Sequence, residues 1–248
     1  MVREVLKTSN QQCGKYPRYH YKEIMGILRL SIYFRSNEAQ ATCEGDKNSM
    51  TITYEIENSL YLNITNRCSN NCSFCIRNHS DGVVVGLNLW LEEEPTVDEV
   101  LNDIQKREIS KYKEFVFCGY GEPMMRTNDL IEISKKLKDK YNIPIRINTN
   151  GQANLINEKD ITPQLEGWID SISISMNAKN KLEYQVLCLS DFGETAFEGM
   201  LDFAVKCKKC IPNVVFSVVD VISKEDIQAC RQIAEGLGVD FRVRHSAF

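Results

Sequence analysis

Cys68, Cys72 and Cys75 form a Cys-x3-Cys-x2-Cys triplet within eight residues, CSNNCSFC. Three thiolates on one short loop can hold a metal centre and leave one coordination position open, whereas a closed structural site takes four protein ligands. An open position is where a small molecule can bind and be activated. The spacing points to an iron–sulfur cluster. A zinc site of three cysteines and His79 is the alternative on paper. Asn66, Asn70 and Asn71 suit a loop that must wrap a compact centre, because asparagine tolerates unusual backbone angles. Phe74 and Ile76 can shield such a centre from water.

The chain bounds the reading further. Ten cysteines without a secretory leader imply a reducing compartment, so metal binding or free thiols and not a disulfide framework. We expect a cytoplasmic protein. No apolar run approaches a membrane span. A net charge of −4 argues against a nucleic-acid partner.

The elements that must position the triplet follow from periodicity. Strand-like runs fall at 59–65, 114–118, 143–148, 169–177, 213–221 and 239–244. Helix-like stretches fall at 96–111, 128–140, 157–167, 194–209 and 223–236. Ser223 with Asp226 reads as an N-cap, and Gly236 and Gly238 as a stop. Alternation of this kind implies an α/β fold with a parallel sheet, and six units fit a partial (β/α)6 TIM-like open barrel. The triplet follows the first strand and so lies at the C-terminal end of the sheet, where such folds place their active sites. Within the strands, Ser171, Ser173, Ser175 and Asn177 alternate with Ile172, Ile174 and Met176. Arg146, Asn148 and Asn150 oppose Ile145 and Ile147, and Arg242 and Arg244 oppose Phe241 and Val243. Helices cover the apolar face, so the polar face lines the lumen and holds a polar ligand. Arg146, Asn148, Arg242 and Arg244 are the candidate substrate contacts, suited to an anionic group.

LYLNITNRCSNNCSFC resembles the cluster-binding motif of the radical S-adenosylmethionine (SAM) superfamily. The resemblance implies a [4Fe-4S] cluster on Cys68, Cys72 and Cys75, with SAM on the fourth iron. It implies reductive cleavage of SAM to a 5′-deoxyadenosyl radical that abstracts hydrogen from a substrate. It also implies SAM contacts from Gly119, Gly121, Glu122 and Pro123 of CGYGEP, with Glu122 accepting from the amino group. Ser173, Ser175 and Asn177 are implied for the ribose and carboxylate, the Val243 backbone for adenine, and Phe74 as a shield. A reducing donor such as flavodoxin or ferredoxin is expected. The wider pattern, with FCGYGEP, RINTNGQANLI, IDSISISMNA, SVVDVISKEDI and FRVR, is similar to the TatD-associated radical SAM proteins. That resemblance covers residues 50–248 and suggests a TatD-type hydrolase as a separate partner.

Other readings stay open. One is an activase that installs a glycyl radical in a partner enzyme. Another is a non-catalytic zinc or iron–sulfur module. Cys207 and Cys210, with Cys188 and Cys230 distant in sequence, read as thiols outside any cluster. Cys118 reads as a small buried residue, and His20 and His245 as lacking companions. Residues 1–49 form a separate segment with no clear period. The codons of Glu44-Gly45-Asp46 can be purine-rich, and Met50 follows closely. We therefore expect translation to start at Met50, the alternative being an extension that covers the open edge of a core domain at 50–248.

Overall fold

A computed structural model describes residues 50–79, 83–84 and 86–245. The N-terminal segment at 1–49 and the expected domain boundary lie outside them.

The strands are β1 (Thr53–Ile56), β2 (Ser59–Leu62), β3 (Val83–Val84), β4 (Leu87–Asn88), β5 (Glu114–Phe117), β6 (Ile145–Thr149), β7 (Ser171–Ser175), β8 (Asn213–Val219) and β9 (Asp240–Arg244). The helices are α1 (Ile76–His79), α2 (Val97–Gln105), α3 (Thr127–Lys140), α4 (Ala153–Ile156), α5 (Lys181–Cys188), α6 (Thr195–Cys207) and α7 (Lys224–Leu237). One sheet runs in the order β1-β2-β5-β6-β7-β8-β9, and β3 and β4 form a separate antiparallel pair. From β2 to β9 every neighbour is parallel. These six strands and their crossover segments make the expected α/β open barrel. β1 was not expected: it pairs antiparallel with β2 at one edge.

The apolar faces of the parallel strands are dry. Leu60, Phe115, Phe117, Ile145, Ile147, Ile172, Ile174 and Phe216 are fully buried in the main core, packed with Leu130, Ile133, Phe203 and Ala234 from the helices. Burial of such side chains stabilises by roughly 1.5–3 kcal/mol each. Capping chemistry closes two helices, with the expected cap on α7 and one on α2 that was not expected. Thr96 and Glu99 close a reciprocal capping box on α2. Ser223 Oγ accepts from Asp226 N at 3.0 Å, and Gly238, with φ of 61°, ends α7; Gly236 lies inside it.

One expected helix fails and one helix was not expected. The helix expected over 157–167 is α4 at Ala153–Ile156 and a 3-10 turn at Thr162–Leu165. Asp160 Oδ1 accepts from Thr162 N and Oγ1, and Pro163 has no N–H to extend a helix through the segment. α5, unannounced in the sequence, buries Tyr184 and Cys188 while Leu182 and Val186 face solvent.

Candidate functional site

The cysteine loop leaves β2 and reaches α1. Its backbone is held from two sides. Gly121 N donates to Thr65 O at 3.0 Å and Glu122 N to Arg67 O at 2.8 Å. On the other side Asn71 N donates to Cys188 O at 3.0 Å and Ser73 N to Leu187 O at 3.0 Å, just before Leu189 turns the chain with φ of 46°.

Beneath the loop lies a buried polar network. Gln152, fully buried, donates to Asn70 Oδ1 at 2.8 Å and Tyr184 Oη at 3.0 Å, and accepts from Ser69 and Ser190 hydroxyls. Asn150 Nδ2 donates to Ser69 Oγ at 2.8 Å. The NTNGQ turn after β6, which alone reads as an ordinary polar turn, thus anchors the cysteine loop.

Cys68, Cys72 and Cys75 line one cavity of about 330 Å³ at the C-terminal ends of the strands. Of the other expected residues, Phe74, Gly119, Gly121, Glu122, Asn148, Ser175, Asn177 and Arg244 also line it. Pro123, Ser173, Val243, Arg146 and Arg242 do not. Pro123 is buried and opens the 3-10 turn Pro123–Arg126. Val243 packs on the helix-covered face of β9. The lining also takes in Asn70, Thr149 and Asn150, which their place in the polar turns could have suggested, and Cys118, Val219 and His245. His245 is not isolated: its Nδ1 lies 2.9 Å from Asp220 Oδ2.

The three thiols are not gathered on one point. Cys68 Sγ accepts from Asn70 N at 3.4 Å, and Cys75 Sγ from Arg77 Nε at 3.4 Å. The Cys188 thiol beside Cys72 holds the Cys72 thiol below its ordinary range and is itself pushed up by that neighbour and by burial. Burial pushes Cys68 up to about 12. Among the described residues no three His, Cys, Asp or Glu side chains stand close enough to hold a metal ion as placed. The donor set nevertheless fits an iron–sulfur cluster. Three soft thiolates border one cavity, and each can turn about its Cα–Cβ bond. Cys118 borders it too, from the end of β5, where Tyr54 Oη donates to its backbone carbonyl at 3.2 Å.

The glycines of CGYGEP serve a second close approach besides the expected one. A Cβ on Gly121 would stand 2.4 Å from Thr65 O and 2.5 Å from Arg67 O, and one on Gly119 would stand 2.0 Å from Asn63 Oδ1. They let β5's end dock on the cysteine loop, in addition to bordering the cavity. Glu122 is 3% exposed. Its Oε1 accepts from Met124 N at 3.0 Å and Thr149 Oγ1 at 2.7 Å, and its Oε2 from Asn150 N at 2.6 Å. A carboxylate offers about four acceptor positions, so Oε2 keeps one. Burial outweighs these bonds and raises the Glu122 pKa from 4.5 to about 7. Asn177, two residues past β7, turns the chain with φ of 56°, and its Oδ1 accepts from Val219 N.

The polar strand faces meet across the lumen. Arg146 makes a two-pronged pair with Glu114, Nε to Oε2 at 3.0 Å and Nη2 to Oε1 at 2.7 Å, and donates from Nη1 to Asn148 Oδ1 at 2.7 Å. Glu114 and Asn148 thus occupy the fork of this candidate substrate contact. Arg242 Nη2 donates to Ser173 Oγ at 2.9 Å, and Arg244 Nη2 to Ser175 Oγ at 3.0 Å. Away from the site, Cys207 is buried in the core, and Cys210 Sγ donates to Thr162 O. No helix among the described residues is long and apolar enough to cross a membrane.

Comparison with known proteins bears on this arrangement. Residues 62–236 match the family model of the Radical SAM superfamily. A curated relative, the tungsten-containing aldehyde ferredoxin oxidoreductase cofactor-modifying protein of Pyrococcus furiosus, is 28% identical over 123 residues, which are 48% of this chain and 30% of that protein. The chain thus spans less than a third of that relative. Among solved structures, Streptococcus suis SuiB bound to S-adenosylmethionine superposes with a TM-score of 0.54 at 14% identity, over 77% of this chain and 38% of that one. A radical SAM methyltransferase from Sphaerobacter thermophilus gives 0.52 at 15% identity, over 79% and 69%. The [FeFe]-hydrogenase maturase HydG from Carboxydothermus hydrogenoformans gives 0.54 at 15%, over 76% and 44%. At these identities the likeness is one of fold.

Proposed function

This chain belongs to the radical SAM superfamily, and on that premise we propose that it is an enzyme that cleaves SAM reductively and abstracts hydrogen from a small molecule held in the barrel lumen. The observation that carries this reading is the meeting of Cys68, Cys72, Cys75 and Glu122 on one cavity that opens on a polar lumen. Cys68, Cys72 and Cys75 would hold a [4Fe-4S] cluster. The chemistry that group supplies when bound is cleavage of SAM to methionine and a 5′-deoxyadenosyl radical, which takes a hydrogen atom from the substrate.

The chain's own residues do the rest. Glu122 offers its remaining acceptor position to the SAM amino group. Ser175 and Asn177 stand at the cavity wall for polar contacts with the nucleoside and carboxylate. Phe74 and Ile76 keep water from the sulfurs. The buried Gln152 network fixes the loop, so that little order remains to be imposed on binding.

Within the superfamily we infer membership of the TatD-associated group from the motifs of β5 to β9. On that reading a TatD-type hydrolase is a separate partner, and a flavodoxin or ferredoxin supplies the electron. Copurification with a TatD-type hydrolase tests the first. The reading also places the protein in the reducing cytoplasm, where the free cysteines of the described residues suit it.

Anaerobic reconstitution with iron and sulfide tests the function. A brown protein that converts SAM to 5′-deoxyadenosine, with both properties lost in Cys72→Ala, is the expected result. A colourless zinc protein inert to SAM sinks the proposal.

A further inference from the structure

The lumen carries three arginines, and their charges are not treated alike. Arg146 is neutralised in place by the two-pronged pair with Glu114. Arg242 and Arg244 form no salt bridge among the described residues. Each reaches only a serine hydroxyl, on Ser173 and Ser175 of β7. Arg244 Nε is buried and has no hydrogen-bond partner. The two side chains leave the same face of β9 and cross β8 to reach β7. In register Ser217 lies between Arg242 and Ser175. Each bond therefore slants one residue pair toward the N-terminal end of the barrel, so that the two side chains run the same way across β8.

Such a pair is costly by itself. Two like charges share one face of the edge strand, Arg244 half-buried and Arg242 exposed, with neutral hydrogen-bond acceptors only. Burial and the neighbouring guanidinium groups push both below the ordinary arginine range. A guanidinium presents five donors in a planar fork, and one donor of each is satisfied by serine. The remaining donors match the geometry of an oxyanion.

We propose that Arg242 and Arg244, backed by Ser173 and Ser175, form the site for one oxyanion of the substrate, a carboxylate or a phosphate group. This rests on the reading that the lumen holds the substrate of a SAM-cleaving enzyme. The site extends away from the cysteines. Arg244 borders their cavity, whereas Arg242, one step deeper, does not. A ligand whose oxyanion sits on both arginines would place the rest of itself toward the sulfurs. Arg146 takes no part, because Glu114 and Asn148 already occupy its fork.

The test uses the full chain, reconstituted and loaded with SAM, in buffer free of other oxyanions. Inorganic phosphate and acetate are titrated separately, followed by calorimetry and by melting temperature. We expect saturable binding of one anion per chain. The tighter of the two names the group. In Arg242→Gln/Arg244→Gln the affinity falls at least tenfold. Arg242→Lys, which keeps the charge and loses the fork, retains part of it. Arg244→Gln also melts higher than the wild type when no anion is present, because an unpaired charge is removed. A merely structural arginine would give the opposite shift.

Binding of neither anion overturns the site. So does a variant that melts lower and binds as the wild type does. Loss of SAM affinity in Arg242→Gln with phosphate binding intact assigns the pair to SAM's own carboxylate and also overturns it. Production of 5′-deoxyadenosine is measured in the same preparations. If SAM is cleaved and no anion binds, the site fails and the enzymatic reading stands. If an anion binds and SAM is never cleaved, the site stands and the enzymatic reading fails.

Discussion

The β5–β6 wall of the lumen and the β9 wall hold charges in opposite ways. On β5 and β6 the charges are matched: Glu114 and Arg146 satisfy one another. Glu122, in the loop after β5, has no counter-charge and is held by three neutral donors. On β9 Arg242 and Arg244 have only hydroxyls. A matched charge serves the framework, since removing one partner strands the other. An unmatched charge weakens the empty protein and is kept only where a ligand supplies the balance. The difference separates residues that build the barrel from residues that wait for its contents, although both sets are polar and share one surface.

Substitutions can break this comparison. The largest effect is expected from Glu122→Ala. It strands Met124 N, Thr149 Oγ1 and Asn150 N in a dry site and should cost about 3 kcal/mol in urea unfolding. A neutral result would remove Glu122 from the framework. Glu114→Gln comes next. It leaves Arg146 without its carboxylate, and a loss of about 2 kcal/mol is expected for a pair that remains partly wetted. A gain in stability would place Arg146 with the unmatched set.

Proton linkage sharpens the same contrast. The folded pKa of Glu122 is raised from 4.5 to about 7. The native state therefore binds the extra proton between those values. Its stabilising contribution is complete below 4.5 and is lost as pH rises through 7. SAM affinity runs the other way, because the amino group needs an ionised acceptor. We expect it to fall by up to about tenfold per pH unit below 7. Phosphate binding by the arginines should follow only the titration of phosphate, since guanidinium stays charged throughout. Calorimetry at pH 6, 7 and 8 compares the two. The smallest effect is expected from Cys188→Ala, which removes the neighbour that favours the Cys72 thiolate. The reconstituted cluster should shift to a lower reduction potential, read by redox titration with electron paramagnetic resonance. An unchanged potential would show that Cys188 only packs.

Much of this was legible in the chain. The triplet is contiguous, so its spacing alone announces the chemistry. The period-2 alternation of Ser171–Asn177 and of Arg242 and Arg244 fixes which side chains share a face. Long-range partners were not legible. Glu114 meets Arg146 because β5 and β6 pair with Val116 opposite Arg146, a register that no local pattern encodes. Cys188 reads as a stray thiol until α5 brings it to Cys72. α5 itself escapes because Leu182 and Val186 lie on its wet side, which scrambles the apolar stripe. The segment 157–167 misleads in the other direction, its helical pattern being broken by Asp160 and Pro163.

The clamp of residues 187–189 on the cysteine loop has a consequence for the order of assembly. Ser73 and Leu187 are 114 positions apart in the chain. The backbone bonds that hold the loop close only after β5, β6 and β7 have come together, and contacts of such separation are slow to form. The thiols therefore receive their fixed backbone late in folding. Iron and sulfide delivered to the folded chain should be taken up faster than by the same chain during refolding from urea, where the loop has no floor to rest on.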